Sequence, residues 1–274
     1  MRMRGSSPPP VPQPQPLTWT SVQLASTCAT TFKFARALIF NLEVYAMTNL
    51  QEMLLTKPEW NDDWHMTAWE RSTLIQLLVN LKPDVSLEIG TFRCGSLRPI
   101  SHYSRKVYTF DIDANQHRIA SLFPSVEFIT GNSADTLPPI IQGMNDSDNE
   151  INFILVDGSH ETDGVCADIA ACLQYRPKRS PTAILMHDSS NPKVRRGIEI
   201  APWNDCPFVH ELDLDLCPGA LYDRSDIKGE IWGGLAAALL LPAARSGPIT
   251  RRATFQYTRE AMLKSSTYSD EAKW

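Results

Sequence analysis

The chain has 274 residues, 43% of them hydrophobic and 21% charged, with a formal net charge of -5 and a pI near 5.7. This is enough apolar material for one large α/β domain, and a weakly acidic balance with scattered basic residues leaves no footprint for a nucleic-acid backbone. No apolar run approaches the roughly 20 residues of a bilayer span and the six cysteines form no C-x-x-C pair, so the expectation is a reduced, cytoplasmic protein away from membranes.

Residues 1–17 are rich in proline and are expected to be a solvated, disordered tail without a secretory apolar segment. Residues 18–65, with an apolar patch from Phe34 to Val44, are expected to form a cap or lid. Regular order starts at Thr67-Ala68-Trp69-Glu70, a capping box that opens a helix with Leu74, Leu77, Leu78 and Leu81 on one face. Lys82-Pro83-Asp84 stops it, and a strand from Val85 follows. Next come a helix over about Ser96–Tyr103, a strand over Val107–Phe110, a helix over about Ala114–Phe123, and strands over Val126–Ile129 and Ile151–Val156. Helical spacing returns in Val165, Ile169, Cys172 and Leu173, before a strand over Ala183–Met186. Strands alternating with helices predict parallel βαβ units, whose ligands bind outside the carboxyl ends of the strands. Further strands are expected over Phe208–Leu214 and Glu230–Leu241, a folded domain over 66–248, and a polar tail over 249–274.

The chemistry-bearing residues all fall at those strand ends. Glu88-Ile89-Gly90-Thr91-Phe92-Arg93-Cys94-Gly95-Ser96 reads as strand, tight turn and helix start. Its glycines let backbone approach a ligand, and the N–H groups of a first helical turn suit a carboxylate or other anion. Asp111 lies 21 residues after Gly90, close to the ~20-residue offset at which an acid reaches ribose hydroxyls in nucleotide-binding folds. Asp113 reads as a helix cap. Gly131-Asn132-Ser133-Ala134-Asp135 is a turn after the third strand. G-x-G-x-x-G is absent, which argues against a dinucleotide.

In its order of E-x-G-x-x-x-G-S, acid and polar turn, the chain resembles the class I S-adenosylmethionine-dependent methyltransferases. The resemblance implies a Rossmann-like, mostly parallel seven-stranded sheet with helices on both faces and a final antiparallel hairpin. It implies that S-adenosylmethionine is bound by Glu88, Gly90, Thr91, Gly95, Ser96, Asp111 and Asp157, with Ser133 and Ala134 at the adenine.

Asp157-Gly158-Ser159-His160 ends the fourth strand and His187-Asp188-Ser189 the fifth. Carboxylates on adjacent strand ends can share a divalent ion such as magnesium through oxygen ligands, and such an ion lowers the pKa of a bound hydroxyl. His160 can take the released proton, with an ordinary pKa near 6.5. D-G-S-H followed by H-D is similar to the methyltransferase-24 and macrocin O-methyltransferase-like group. That likeness implies methyl transfer to the hydroxyl of a small molecule, with His160 as base, Asp157 in support, and metal ligands at Asp157 and Asp188. Where relatives carry a third acid or amide, this chain has His187 and Ser189. The P-G-G that usually precedes the fifth strand is replaced by Arg176-Pro177-Lys178-Arg179-Ser180-Pro181. A metal-dependent hydrolase or hydroxylase, and a non-catalytic cofactor-binding relative, are the alternatives. Trp60, Trp64 and Trp203 are candidates for an aromatic pocket wall or for packing. The acceptor's identity and the oligomeric state have no signal in the sequence.

Overall fold

A computed structural model of the chain describes residues 64–268; the proline-rich segment, nearly all of the expected cap, and Trp60 lie outside the described residues. Helix α1 (Ala68–Leu81) starts at Thr67 with the capping box in place and ends at Lys82 in a left-handed conformation. Its apolar face, Leu74, Ile75 and Leu78, is buried, and each such side chain contributes about 1.5–3 kcal/mol when fully removed from water.

Strands β1 (Val85–Ile89), β2 (Lys106–Asp111), β3 (Val126–Thr130), β4 (Ile151–Val156) and β5 (Thr182–His187) run parallel. They are followed by β6 (Val209–Leu221), β7 (Ile231–Leu240) and β8 (Thr250–Arg252) in one sheet of order β3-β2-β1-β4-β5-β7-β6-β8. Strand β7 is antiparallel to β5 and β6, which supplies the expected hairpin. The strand order reverses between β1 and β4, the point where open α/β sheets leave a crevice.

Alternation along the strands divides the core. Leu87, Ile89, Ile154 and Met186 pack on one face with α3 (Ser133–Asp146), α4 (Thr162–Cys172) and α5 (Pro192–Ile200). Phe153, Leu155 and Leu185 pack on the other with α1 and α2 (Leu97–Tyr103). On that second face β1 carries Ser86 and Glu88, both fully buried and both hydrogen-bonded.

Four expectations differ from the structure. Residues 114–122 form a 3₁₀ segment in place of an α-helix. Residues 133–146 form α3, although Pro138 and Pro139 stand inside it; Asn132 caps it and the burial of Leu137, Ile141 and Met144 outweighs the lost backbone bonds. Helix α5 was not expected, and Asn191 capping a helix with Pro192 in its first turn is the signal that marks it. The segment after Pro248 is no tail: β8 pairs with β6 as an eighth strand and α6 (Gln256–Ser265) follows, with Ile249 and Leu263 buried. Among the described residues, no helix is long and apolar enough to cross a membrane, and Cys94, Cys166, Cys172, Cys206 and Cys217 are free thiols.

Candidate active site

A cavity of about 730 Å³ opens at the carboxyl ends of β1, β2, β4 and β5. One wall is the loop from Gly90 to Ser96. Gly90 has φ +93°, and a Cβ there would lie 2.1 Å from the Asp157 carbonyl oxygen, so only glycine lets the β1 and β4 ends meet. Phe92 and Cys94 also adopt positive φ. The loop is fixed from beside by Asp111, whose Oδ2 accepts from the Phe92 N–H at 2.9 Å; its Oδ1 accepts from the Asp113 N–H at 2.9 Å. Gly90, Thr91, Gly95, Ser96 and Asp111 all line the cavity. Thr91 Oγ1 is 2.6 Å from Thr109 Oγ1.

Glu88 stands elsewhere. Its carboxylate is buried beneath the loop, accepting from Ser96 Oγ at 2.7 Å and Thr109 Oγ1 at 2.6 Å, and it is not among the residues that line the cavity. Burial pushes its pKa up to about 8, against the pull of those two hydroxyls. Ser133 and Ala134 are likewise absent from the lining. Ser133 Oγ donates to Asp168 Oδ1 at 2.6 Å and the Ala134 N–H to Asn132 Oδ1 at 3.0 Å, so both belong to the start of α3.

The opposite wall is charged. His160 Nε2 lies 3.0 Å from Asp188 Oδ2 and 3.8 Å from Asp157 Oδ1, with the Trp232 ring edge-on at 5.4 Å. His187 Nδ1 lies 3.0 Å from Asp157 Oδ1 and 3.4 Å from Asp188 Oδ2. Asp188 has φ +55°, and its Oδ1 accepts from the Gly233 N–H at 2.5 Å. Asp157 and Asp188 hold a proton on His160, raising its pKa to about 10 against burial. Burial works against ionising Asp188, yet His187 and His160 outweigh it and keep the carboxyl far below its usual range. Asp157 is shifted the same way, chiefly by His187 against burial.

Asp157, His160 and Asp188 present ligand atoms that lie within 4.8 Å of one another. The two other metal candidates are not in that set. His187 lines the cavity and its Nδ1 is engaged by Asp157, and Ser189 Oγ is buried with no hydrogen-bond partner among the described residues. It lies where a Cβ on Gly234 would stand 3.0 Å away.

Sequence reasoning missed two parts of this wall. Glu70, read only as a helix cap, lines the cavity; nothing in the sequence ties it to strand ends more than 80 residues downstream. Gly233 and Gly234, at φ +75° and +85°, bring β7 against Asp188 and Glu70; paired glycines inside an apolar strand are a signal of close backbone approach. Trp64, Met66, Tyr222, Ile227 and Trp232 also line the cavity, while Trp203 is core, donating to the Ile198 carbonyl.

Residues 87–189 match the family model of a methyltransferase domain. No curated protein matches the chain in sequence at a significant level. Among solved structures, the chain is similar to an O-methyltransferase from Bacillus cereus in complex with SAH (18% identity, 78% of this chain and 92% of that one, TM-score 0.43). It is also similar to the O-methyltransferase TomG from Streptomyces achromogenes in complex with SAM (15%, 63% and 81%, TM-score 0.41) and to an rRNA methylase from Streptococcus thermophilus (12%, 62% and 95%, TM-score 0.42). At such identities these likenesses carry no chemistry across to this chain.

Proposed function

Because residues 87–189 match the model of a methyltransferase domain, we propose that the chain is a class I, S-adenosylmethionine-dependent methyltransferase that moves the methyl group to a hydroxyl oxygen of a small molecule. The observation that carries this reading is the convergence of Gly90, Thr91, Ser96, Asp111, Asp157, His160 and Asp188 on one cavity at the strand ends. The cavity suits a nucleoside donor: its volume is within the range of ligand pockets, a glycine loop leaves backbone exposed, and the Asp111 carboxylate faces it.

S-adenosylmethionine, when bound, supplies a methyl group on a cationic sulfur. The chain's own residues do the rest. Asp111 accepts from ribose hydroxyls, and the loop from Gly90 to Ser96 takes the amino-acid end. The aromatic side of the cavity, Trp64, Tyr222 and Trp232, packs the acceptor. His160 Nε2 would remove the acceptor's hydroxyl proton as the oxygen–carbon bond forms and the methyl–sulfur bond breaks, the thioether S-adenosylhomocysteine leaving, and Asp157 and Asp188 would stabilise the imidazolium that results. Holding the two reactants in near-attack geometry supplies much of the rate.

Titration calorimetry with S-adenosylhomocysteine tests the reading first; no binding would retire it. A screen of hydroxylated acceptors then tests transfer. Asp111→Ala separates this chemistry from a hydrolase using the same acids, since a hydrolase tolerates that change and a methyltransferase does not.

The triad of ligand atoms favours a second arrangement. A divalent cation would be held by Asp157 and Asp188 with His160 Nε2 as third donor, and it would polarise the acceptor hydroxyl. Two carboxylates suit magnesium, whereas the imidazole shifts preference toward softer ions. One lone pair cannot both bind a cation and take a proton. Full transfer after EDTA treatment would therefore leave His160 as base, and loss that is restored by magnesium or manganese would make it a ligand.

A further inference from the structure

Glu70 is 1% exposed at the third position of α1, and its two oxygens do different things. Oε2 accepts from the Thr67 N–H at 2.5 Å, which completes the helix cap. Oε1 accepts from the Gly234 N–H at 2.5 Å and stands 3.3 Å from His187 Nε2. A cap needs only the first of these. His187, 7% exposed, is thus set between Glu70 on one ring nitrogen and Asp157 on the other. The Asp157 contact is a hydrogen bond, whereas the Glu70 contact is an ion pair without hydrogen-bond geometry, Nε2 having no hydrogen-bond partner among the described residues; turning the ring would lose both carboxylates, and an unpaired buried charge is costly.

We propose that Glu70 and His187 are positioning residues of the transfer site: Glu70, anchored by the Thr67 and Gly234 amides, sets the His187 ring, and His187 Nδ1 holds the Asp157 carboxylate in the orientation that faces His160 and Asp188. This rests on the methyl-transfer reading. Neither residue needs to touch the acceptor, since each acts through the next side chain. A misplacement of about 1 Å at reacting groups can cost on the order of 10²-fold in rate, so the effect falls on kcat and spares donor binding at the other wall.

Two isosteres at one position separate positioning from simple filling of the core. In His187→Asn the amide nitrogen stands near the position of Nδ1 and can still donate to Asp157, but the link to Glu70 is gone. In His187→Gln the amide nitrogen stands near Nε2, so Glu70 keeps a partner and Asp157 loses its own. The expected result is kcat roughly 10-fold or more lower in His187→Gln than in His187→Asn, with KM for the donor and affinity for S-adenosylhomocysteine within about twofold of the wild type in both. Equal kcat in the two variants, or a higher value for His187→Gln, would overturn the proposal. Should His187→Gln not fold, Glu70→Asp carries the test: it keeps an acid in the first turn of α1 but withdraws it from His187. It should lower kcat about 10-fold at unchanged donor affinity, and wild-type kcat there overturns the proposal. The His160 ring resonances, read by NMR on the same samples, report the arrangement independently of turnover. They should stay near wild type in His187→Asn and move in His187→Gln. That pattern without methyl transfer by the wild type would retire the transfer reading alone, and unmoved resonances in both variants would retire the positioning.

Discussion

The two walls of the cavity are built on opposite plans. The loop from Gly90 to Ser96 is contiguous in sequence, and Asp111 fixes it through the Phe92 N–H. The facing wall gathers Glu70, Asp157, His160, His187 and Asp188 from separate segments, and it is held largely by contacts between ionisable groups, with His160 exposed and the others buried or half-buried. A wall held by backbone donors offers a fixed shape at little electrostatic cost. One held by mutually compensating charges loses its balance when a single member is removed. The first is suited to binding and the second to chemistry.

Asp188→Ala should have the largest effect, since it takes one of two carboxylates from each histidine, leaves the Gly233 N–H without its acceptor, and puts alanine at a positive φ. The expected loss is roughly 3–5 kcal/mol of stability in urea unfolding, together with loss of detectable transfer. His160→Gln comes next, with kcat about 10²–10⁴-fold lower and binding of S-adenosylhomocysteine unchanged by calorimetry. If the two walls were one functional unit, donor binding would fall with kcat in that variant. Asp111→Ala should do the converse, weakening S-adenosylhomocysteine about tenfold or more through the lost charge-assisted hydrogen bonds.

The pH profile sharpens the contrast further. A base must be unprotonated, and the two aspartates hold the proton on His160 up to about 10. The rate should therefore climb through the alkaline range, and Asp188→Asn should bring that limb down toward the usual histidine range. The smallest effect belongs to Glu88. Its folded-state pKa of about 8 lies above the ordinary 4.5, so the folded chain binds the extra proton. The associated stability is present below about 4.5 and is lost as pH rises through 8. Glu88→Gln should remove that loss, raising stability at pH 9 by about 1–2 kcal/mol relative to wild type while changing little at pH 4. Equilibrium unfolding at the two pH values checks it.

What the sequence made legible follows the same division. Strand ends marked by glycine or acid after an apolar run were readable because local turn chemistry writes them, and Gly90, Thr91, Ser96, Asp111, Asp157, His160 and Asp188 all reach the cavity. Groups whose surroundings depend on tertiary partners were not legible in this way. Glu88 ends an equally plain strand, but the two-residue period turns it under the loop, toward Ser96 and Thr109. Ser133 is claimed by Asp168, which lies in another helix. Ser189 follows Asp188 in sequence, yet the positive φ of Asp188 sends its neighbour into the β7 backbone. The prolines of α3 mislead because propensity yields to an apolar face that a sheet is waiting to cover.

The bond from Glu70 to the Gly234 amide spans 164 residues. Its closure joins a helix that precedes the sheet to a strand laid down almost at its end. The loop from Gly90 to Ser96 draws on β1, β2 and β4, whereas the wall of Glu70 and Asp188 is complete only when β7 has docked. Closure of the charged wall is thereby tied to the docking of a strand laid down long after the loop it faces.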